Sequence, residues 1–244
     1  MNYKAVLQYD GTRYRGWQTQ GNTDNTIQGK LETLLTKMAG EPVEVNGSGR
    51  TDAGVHAAGQ VISFRCKTKE SPEEICRYMN EYLPEDIAVL TVEEAAPRFH
   101  ARLNAVRKTY VYRIWNAPVK NVFRRRFTTW IQKPLDLDAM EQAATLLCGT
   151  HDYRAFCSLK KFKKSTVRTI EKIEIGKMGQ EIRISYTGDG FLYHMVRILT
   201  GTLVEVGLGL RKPEEMTEIL EGQDRTKAGR LMPPEGLTLE NVEY

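Results

Sequence analysis

The sequence predicts an α+β fold in two halves, on three observations. Short runs alternating apolar with polar residues read as strands, capped helical stripes lie between them, and the same order of elements recurs after residue 104. The first half opens with YKAVLQY, Tyr3 to Tyr9, closed by the turn signal Asp10-Gly11. Ile27, Leu31, Leu34, Leu35 and Met38 then recur at helical spacing, and Gly40 with Pro42 supplies a stop. GQVISFRC, Gly59 to Cys66, is the next strand. Ser71-Pro72-Glu73-Glu74 is a capping box with proline at the first helical position, so a helix runs through Ile75 and Met79 toward Leu83, where Pro84 ends it. IAVLTVEEA, from Ile87, completes the half.

The second half begins with the strand TYVYRIW, Thr109 to Trp115, and a helix after Asp136 carrying Met140, Ala143, Ala144 and Leu147. TIEKIEI and EIRISYT pair around Lys177 to Gln180; in the second, Ile182, Ile184 and Tyr186 share one face while Glu181, Arg183 and Ser185 share the other. A helix from Phe191 to about Val206 follows, Pro213 opens a shorter one, and LTLENVEY closes the chain as a strand. Each half reads roughly β-α-β-β-α-β, the order of a ferredoxin-like split βαβ unit with helices on one face of an antiparallel sheet. The expectation is therefore two ferredoxin-like halves, residues 1–104 and 105–244, whose sheets meet at a central cleft.

With 41% hydrophobic and 27% charged residues, the 244-residue chain has the balance of a globular protein; disordered and fibrous classes are excluded. Thirty-five Lys and Arg against 31 Asp and Glu give +4, which permits an anionic partner without requiring one. Met1 to Tyr9 lacks the apolar core of a secretion signal, and no run approaches the roughly 20 apolar residues that span a bilayer. A cytoplasmic protein without a membrane partner is expected. Cys66, Cys76, Cys148 and Cys157 form no C-x-x-C pair and have no histidines at zinc spacing, so no metal is expected. Cys66 and Cys148 read as buried free thiols.

The most informative stretch is GSGRTDAGVHAAGQ, Gly47 to Gln60, which packs Arg50, Asp52 and four glycines into fourteen residues ahead of a strand. Glycines let a backbone approach a ligand or take positive φ, as a loop presenting one carboxylate to a bulky substrate needs. Arg50 and Asp52, two apart, share a face if extended, and either pair or both meet a substrate. A tight turn with a capping aspartate is the competing explanation. Phosphate-loop signatures are absent, and Gly47-Ser48-Gly49 is not a nucleophile elbow.

Seven ordered segments resemble the TruA family of tRNA pseudouridine synthases: YDGTRYRGWQTQ (Tyr9 to Gln20), GRTDAGVHAAGQV (Gly49 to Val61), FHAR (Phe99 to Arg102), RKTYVYRI (Arg107 to Ile114), GTHDYRAF (Gly149 to Phe156), FLYHMVRILTGTLVEVG (Phe191 to Gly207) and PPEGLTLENVEY (Pro233 to Tyr244). The resemblance runs nearly end to end. It implies an isomerase for uridines at tRNA positions 38, 39 and 40, with Asp52 as the catalytic carboxylate. The reaction breaks the bond from C1′ to N1 and rejoins the base through C5 without net redox change, so no cofactor is implied. Asp52 acts as a nucleophile on C6 of the base, or attacks or deprotonates the ribose; the sequence leaves these routes open. It must be ionised, and Arg197 is the expected guanidinium that orients it. The alternative for Arg197 is a solvated residue on a helix flank.

By the same resemblance Tyr110 stacks on the target base, with a half-buried strand tyrosine as its alternative. Arg50 takes the flipped base's place in the RNA. Lys108, Arg102 and His194 join it as substrate contacts. His194 stands where the family more often has asparagine, and a satisfied structural histidine is its competing explanation. Tyr9, Asp10 and Gln18 or Gln20 are expected to shape the same region. Leu231-Met232 precedes Pro233-Pro234, where a small residue is more usual.

Basic residues cluster at Arg98, Arg102, Arg107 and Lys108, at Lys120 with Arg124 to Arg126, and at Lys160, Lys161, Lys163 and Lys164. Phe99, Phe123, Phe127, Tyr153, Phe156 and Phe162 interleave with them and fit a surface that tracks phosphates and supports bases. The family resemblance also implies a homodimer with the tRNA anticodon arm lying across both subunits. Two rivals are a noncatalytic tRNA-binding or RNA-chaperone module on the same scaffold, and a nucleotide hydrolase using the glycine loop.

Overall fold

In the computed structural model, which describes residues 1–244, strand β1 (Asn2–Tyr9) buries Tyr3, Ala5, Leu7 and Tyr9, every second residue, as a half-buried strand must. Helix α1 (Ile27–Ala39) starts where the Thr26 hydroxyl accepts the Gly29 N–H, and stops at Gly40, which takes the left-handed conformation at φ 69°. After short β2 (Val45–Gly47) comes β3 (His56–Arg65), buried over most of its length. Helix α2 (Pro72–Tyr82) carries the full capping box: the Glu74 N–H donates to the Ser71 hydroxyl at 3.3 Å, and the Ser71 N–H donates back to the Glu74 carboxylate at 2.8 Å. Strand β4 (Ile87–Glu94) follows. β1 lies between β3 and β4, antiparallel to both, and β2 pairs antiparallel with β3.

The next strands are β5 (Arg107–Asn116) and β6 (Thr129–Ile131), followed by α3 (Leu137–Leu146), capped by Asp136. Then come β7 (Gly149–Asp152), β8 (Val167–Met178), β9 (Glu181–Gly188), α4 (Met195–Gly207) and α5 (Glu215–Gly222). β5, β9, β8 and β7 are antiparallel neighbours in that order, and the β8–β9 hairpin turns through Gly179 at φ 60°. Ile182, Ile184 and Tyr186 are fully buried, contributing about 1.5–3 kcal/mol for each aliphatic side chain removed from water. The chain closes with β10 (Leu237–Glu243). The protein is thus mixed α+β, with five α-helices and mostly antiparallel strand pairing. No helix is long and apolar enough to cross a membrane.

Residues group into two compact units, Met1–Val106 with Thr238–Tyr244, and Arg107–Leu237. A division at residue 104 left β10 with the second half; instead it returns to the first unit, parallel to β3 through Thr238 opposite His56 and Leu239 opposite Ala57. The Glu243 carbonyl accepts the Val106 N–H, and the Tyr244 hydroxyl donates to the Ala101 carbonyl at 2.6 Å. Alternation along one segment identifies a strand but not its distant partner.

Other expectations are corrected by the structure. The helix expected from Phe191 begins at Met195, because His194 is left-handed at φ 65° and cannot sit within a right-handed helix. Glu181, on the opposite strand face from Ile182, Ile184 and Tyr186, is nonetheless buried at 2% exposure beneath the guanidinium groups of Arg124 and Arg183. Cys157 rather than Cys148 joins Cys66 as a buried thiol; Cys148 is half-buried, its thiol donating to the Ala144 carbonyl. Tyr153 and Phe156, expected on an RNA-facing surface, lie in the core at 0% exposure, where the Tyr153 hydroxyl donates to the Leu147 and Gly149 carbonyls.

Ser71→Ala removes one arm of the capping box on α2. It is expected to lower unfolding free energy by about 1 kcal/mol, read as a reduced urea midpoint with an unchanged denaturant slope.

Candidate active site

The stretch Ser48 to Val55, between β2 and β3, is held through its backbone and hydroxyl groups by residues on either side of it in the chain. Ser48 donates its N–H to the Val61 carbonyl at 2.8 Å and its hydroxyl to Gln60 Oε1 at 2.6 Å, while Gln60 Nε2 donates to the Gly49 carbonyl at 2.9 Å. The Thr51 carbonyl accepts the Trp17 N–H at 3.0 Å, and the Thr51 hydroxyl pairs with the buried Tyr9 hydroxyl at 2.8 Å. Burial pushes Tyr9 up to about 12, so its hydroxyl keeps its proton and this bond across the neutral range. Asp52 accepts the Val55 N–H through its own carbonyl, closing a tight turn with Gly54 at φ 81°. Its side chain is half-buried.

Two glycines outside the loop let it sit this close. A Cβ on Gly11 would lie 2.0 Å from the Val55 carbonyl oxygen, and one on Gly47 would lie 2.5 Å from the Trp17 indole. Gly11 also donates its N–H to Nδ1 of His56, a buried histidine at the start of β3. Asp10 caps the short 3₁₀ turn Gly11–Arg13. His56, Gln60 and Trp17 were not singled out from sequence; for the first two, polar side chains interrupting a largely apolar strand were the available signal.

Arg50 is exposed and, with Arg102, His100, Trp17, Gln18 and Gln28, lines a cleft of about 150 Å³ in the first unit. Two sequence-selected arginines thus share one concavity. Gln18 stands there too, its amide donating to Gln28 Oε1 at 2.7 Å, whereas Gln20 turns back onto the Arg15 carbonyl. The cleft is below the roughly 300 Å³ that encloses a small ligand, a size suited to one portion of a polymer.

In the second unit, Lys108 and Tyr110 lie two apart on β5. Tyr110 is 8% exposed and meets Phe191 edge to face, ring centroids 5.3 Å apart. Its neighbour Tyr112 is fully buried and bonded to Thr129 and the Pro233 carbonyl, a core role. Arg197, in the first turns of α4, is 8% exposed, so its guanidinium must be hydrogen-bonded within the protein. Nε donates to the Met232 carbonyl at 2.7 Å, and the Met232 N–H returns a bond to the Arg197 carbonyl at 3.3 Å. Met232, the departure beside the prolines, is itself buried, so its bulk faces the core. His194 heads α4, its Nδ1 2.8 Å from the Ser158 hydroxyl and its ring stacked on Tyr193.

Of the basic clusters, Arg107 pairs with Glu171 and Arg124 with Glu181, while Lys120 lies over the Trp130 ring. Lys160, Lys161, Lys163 and Lys164 are exposed. No group of three or more His, Cys, Asp or Glu is placed to hold a metal ion.

A family model described as tRNA pseudouridine synthase matches residues 5–104 and 143–244, which include every site residue above except Lys108 and Tyr110. Relatives named tRNA pseudouridine synthase A share 48% identity from Bacillus sp. (strain KSM-64), over 100% of this chain and 99% of the relative, and 47% from Brevibacillus brevis, over 99% and 98%. A Clostridium tetani relative named tRNA pseudouridine synthase A 2 shares 43% over 100% of this chain and 98% of its own length. Matches of this extent place the chain in the tRNA pseudouridine synthase family.

Proposed function

We propose that this protein isomerises uridine to pseudouridine in the anticodon arm of tRNA, with Asp52 as the catalytic carboxylate. The observation that carries this is the seating of the Ser48 to Val55 loop. Its carbonyls and hydroxyls are bonded on both sides of Asp52, so a single carboxylate is presented on a fixed backbone. The chemistry is internally balanced. The C1′–N1 bond breaks, C1′ joins C5, the C5 proton goes to water and N1 takes one up. No electron acceptor or outside energy enters, so the reading needs no metal or cofactor.

Each remaining residue has a part. Arg197 orients the ionised carboxylate, Tyr110 stacks on the uracil, and Arg50 occupies the place the base leaves. Arg102, Lys108 and His194 hold the surrounding RNA. The finer architecture in this reading is two ferredoxin-like units serving one uridine, in a cytoplasmic homodimer whose two chains share a tRNA. Arg50 and Arg102, two guanidinium groups lining one cleft, suit an anionic substrate.

The deciding measurement is tritium release from tRNA transcripts labelled at uridine C5. Wild type is expected to release tritium, and Asp52→Asn to release it about a thousandfold more slowly or not at all while binding the transcript equally well. If neither protein releases tritium from several tRNAs that both bind, catalysis is ruled out and a noncatalytic tRNA-binding module takes its place. Arg197→Lys loses the planar fork and the Nε bond to Met232, and is expected to lower both turnover, by roughly tenfold or more, and stability, by about 1–3 kcal/mol. Single-turnover rates alongside urea unfolding check this; unchanged turnover in a folded variant removes Arg197 from the mechanism.

A further inference from the structure

In the second unit, His194, an RNA contact in the function proposed above, is paired with an aromatic residue that has no role so far, Tyr193. Tyr193 is 49% exposed, and the His194 ring lies against it with centroids 3.7 Å apart and planes 25° from parallel. An offset stack so close leaves one side of the tyrosine backed and about half its surface open. The arrangement is held from three directions. The His194 Nδ1 meets the Ser158 hydroxyl at 2.8 Å, the Ser158 N–H donates to the Tyr193 carbonyl at 3.3 Å, and the His194 carbonyl accepts the Ile198 N–H of α4.

His194 has φ 65° and ψ 3°, a left-handed conformation that costs a non-glycine residue about 1–2 kcal/mol. Glycine would avoid that cost altogether, so a histidine here has to be justified by its ring. What that ring does here is back Tyr193.

We propose that the Tyr193–His194 pair is a stacking platform for an unpaired base adjacent to the target uridine, with the Lys160 to Lys164 run taking the neighbouring phosphates. This rests on the function proposed above and adds a second base to it. Position relative to the first base comes from the chain: Phe191, which meets Tyr110, is two residues from Tyr193, at most about 7 Å of backbone. Consecutive nucleotides of a flipped-out segment are separated by a comparable step. Charge comes from the same hydrogen-bonded junction, because Ser158 opens the exposed segment that carries Lys160, Lys161, Lys163 and Lys164. A flat aromatic surface beside phosphate-seeking lysines is the composition of a single-stranded RNA contact, tolerant of base identity because every base has a π-face.

The test is equilibrium binding of a synthetic RNA stem-loop with uridine in its loop, alongside two copies carrying an abasic residue 5′ or 3′ of that uridine. Wild type is expected to bind one abasic copy roughly 5- to 100-fold more weakly than the intact RNA. Tyr193→Ala is expected to bind intact and abasic RNA alike, at the weaker level, and Tyr193→Phe, which keeps the ring, to recover the discrimination. The platform is overturned if wild type binds all three RNAs equally, if Tyr193→Ala still discriminates as wild type does, or if Tyr193→Phe fails to recover it while melting at the wild-type temperature. Binding needs no turnover, so the two readings separate. Tritium release without abasic discrimination removes the platform alone, whereas discrimination abolished by Tyr193→Ala without tritium release removes the isomerase and keeps the platform as an RNA contact.

Discussion

A loop that must hold one carboxylate in a half-buried position brings its own peptide groups out of water with it, and each needs a partner that water no longer supplies. Everything in the first unit around Asp52 follows from that constraint. The Gly49 and Thr51 carbonyls are met by Gln60 and by the Trp17 N–H, and the Thr51 hydroxyl by Tyr9. These partners come from β1 and the turn after it, about forty residues before Asp52, and from β3 just after it, so Asp52 is placed from both sides of the chain. Tyr9 suits its position because its buried hydroxyl stays neutral and bonds the Thr51 hydroxyl, bringing no charge into the loop. The close approach of Gly11 to Val55 and of Gly47 to Trp17 belongs to the same arrangement: side chains there would lift the loop off its donors.

The second unit meets the corresponding constraint for a cation. Helix α4 is buried nearly all round, so its polar side chains turn inward on its own backbone: Thr200 donates to the Val196 carbonyl and Thr202 to the Ile198 carbonyl. The segment from Ala228 to Met232 lies directly on the helix. A Cβ on Gly201 would fall 1.9 Å from the Arg230 carbonyl oxygen, and the Gly229 N–H donates to the Thr202 hydroxyl. This contact is what delivers the Met232 carbonyl to Arg197. Gly201 therefore acts on a charged group a full turn away, through the path of a neighbouring chain segment.

Legibility of the sequence divides along a physical line. Features set by nearest neighbours were readable: the Ser71 box, the stop at Gly40, the helix after Asp136, and the shared face of Ile182, Ile184 and Tyr186. Features set by distant partners were not. The pairing of β10 with β3, the burial of Glu181 under two arginines, and the retreat of Tyr153 and Phe156 into the core depend on what arrives from elsewhere in the chain. In the site, the glycine loop drew attention to Asp52 by composition, but its supports Gln60 and His56 look like interruptions in an apolar strand until their bonds are seen. His194 lies between these cases: its place near the start of a helix was visible, yet only the structure shows its left-handed backbone and its ring against Tyr193.

Charge divides in the same way, with consequences for how RNA is held. A net +4 distributes its positive residues between internal structure and surface, and the sequence cannot separate the two. Arg124 and Arg183 neutralise Glu181, which at 2% exposure would otherwise be a costly buried anion, and Arg107 faces Glu171. For any of these to neutralise a phosphate, an existing pair has to be given up. Lysines 160, 161, 163 and 164 are exposed at a flexible side chain's full reach, and Arg50 and Arg102 open into one concavity. Counterion release scales with the phosphates actually neutralised, so the salt dependence of RNA binding reports how many basic residues meet phosphate rather than the thirty-five present in the chain. On the function proposed above the two sets divide the labour: arginines in the cleft would supply fixed, planar contacts where geometry matters, and the lysines attraction that tolerates a moving polymer.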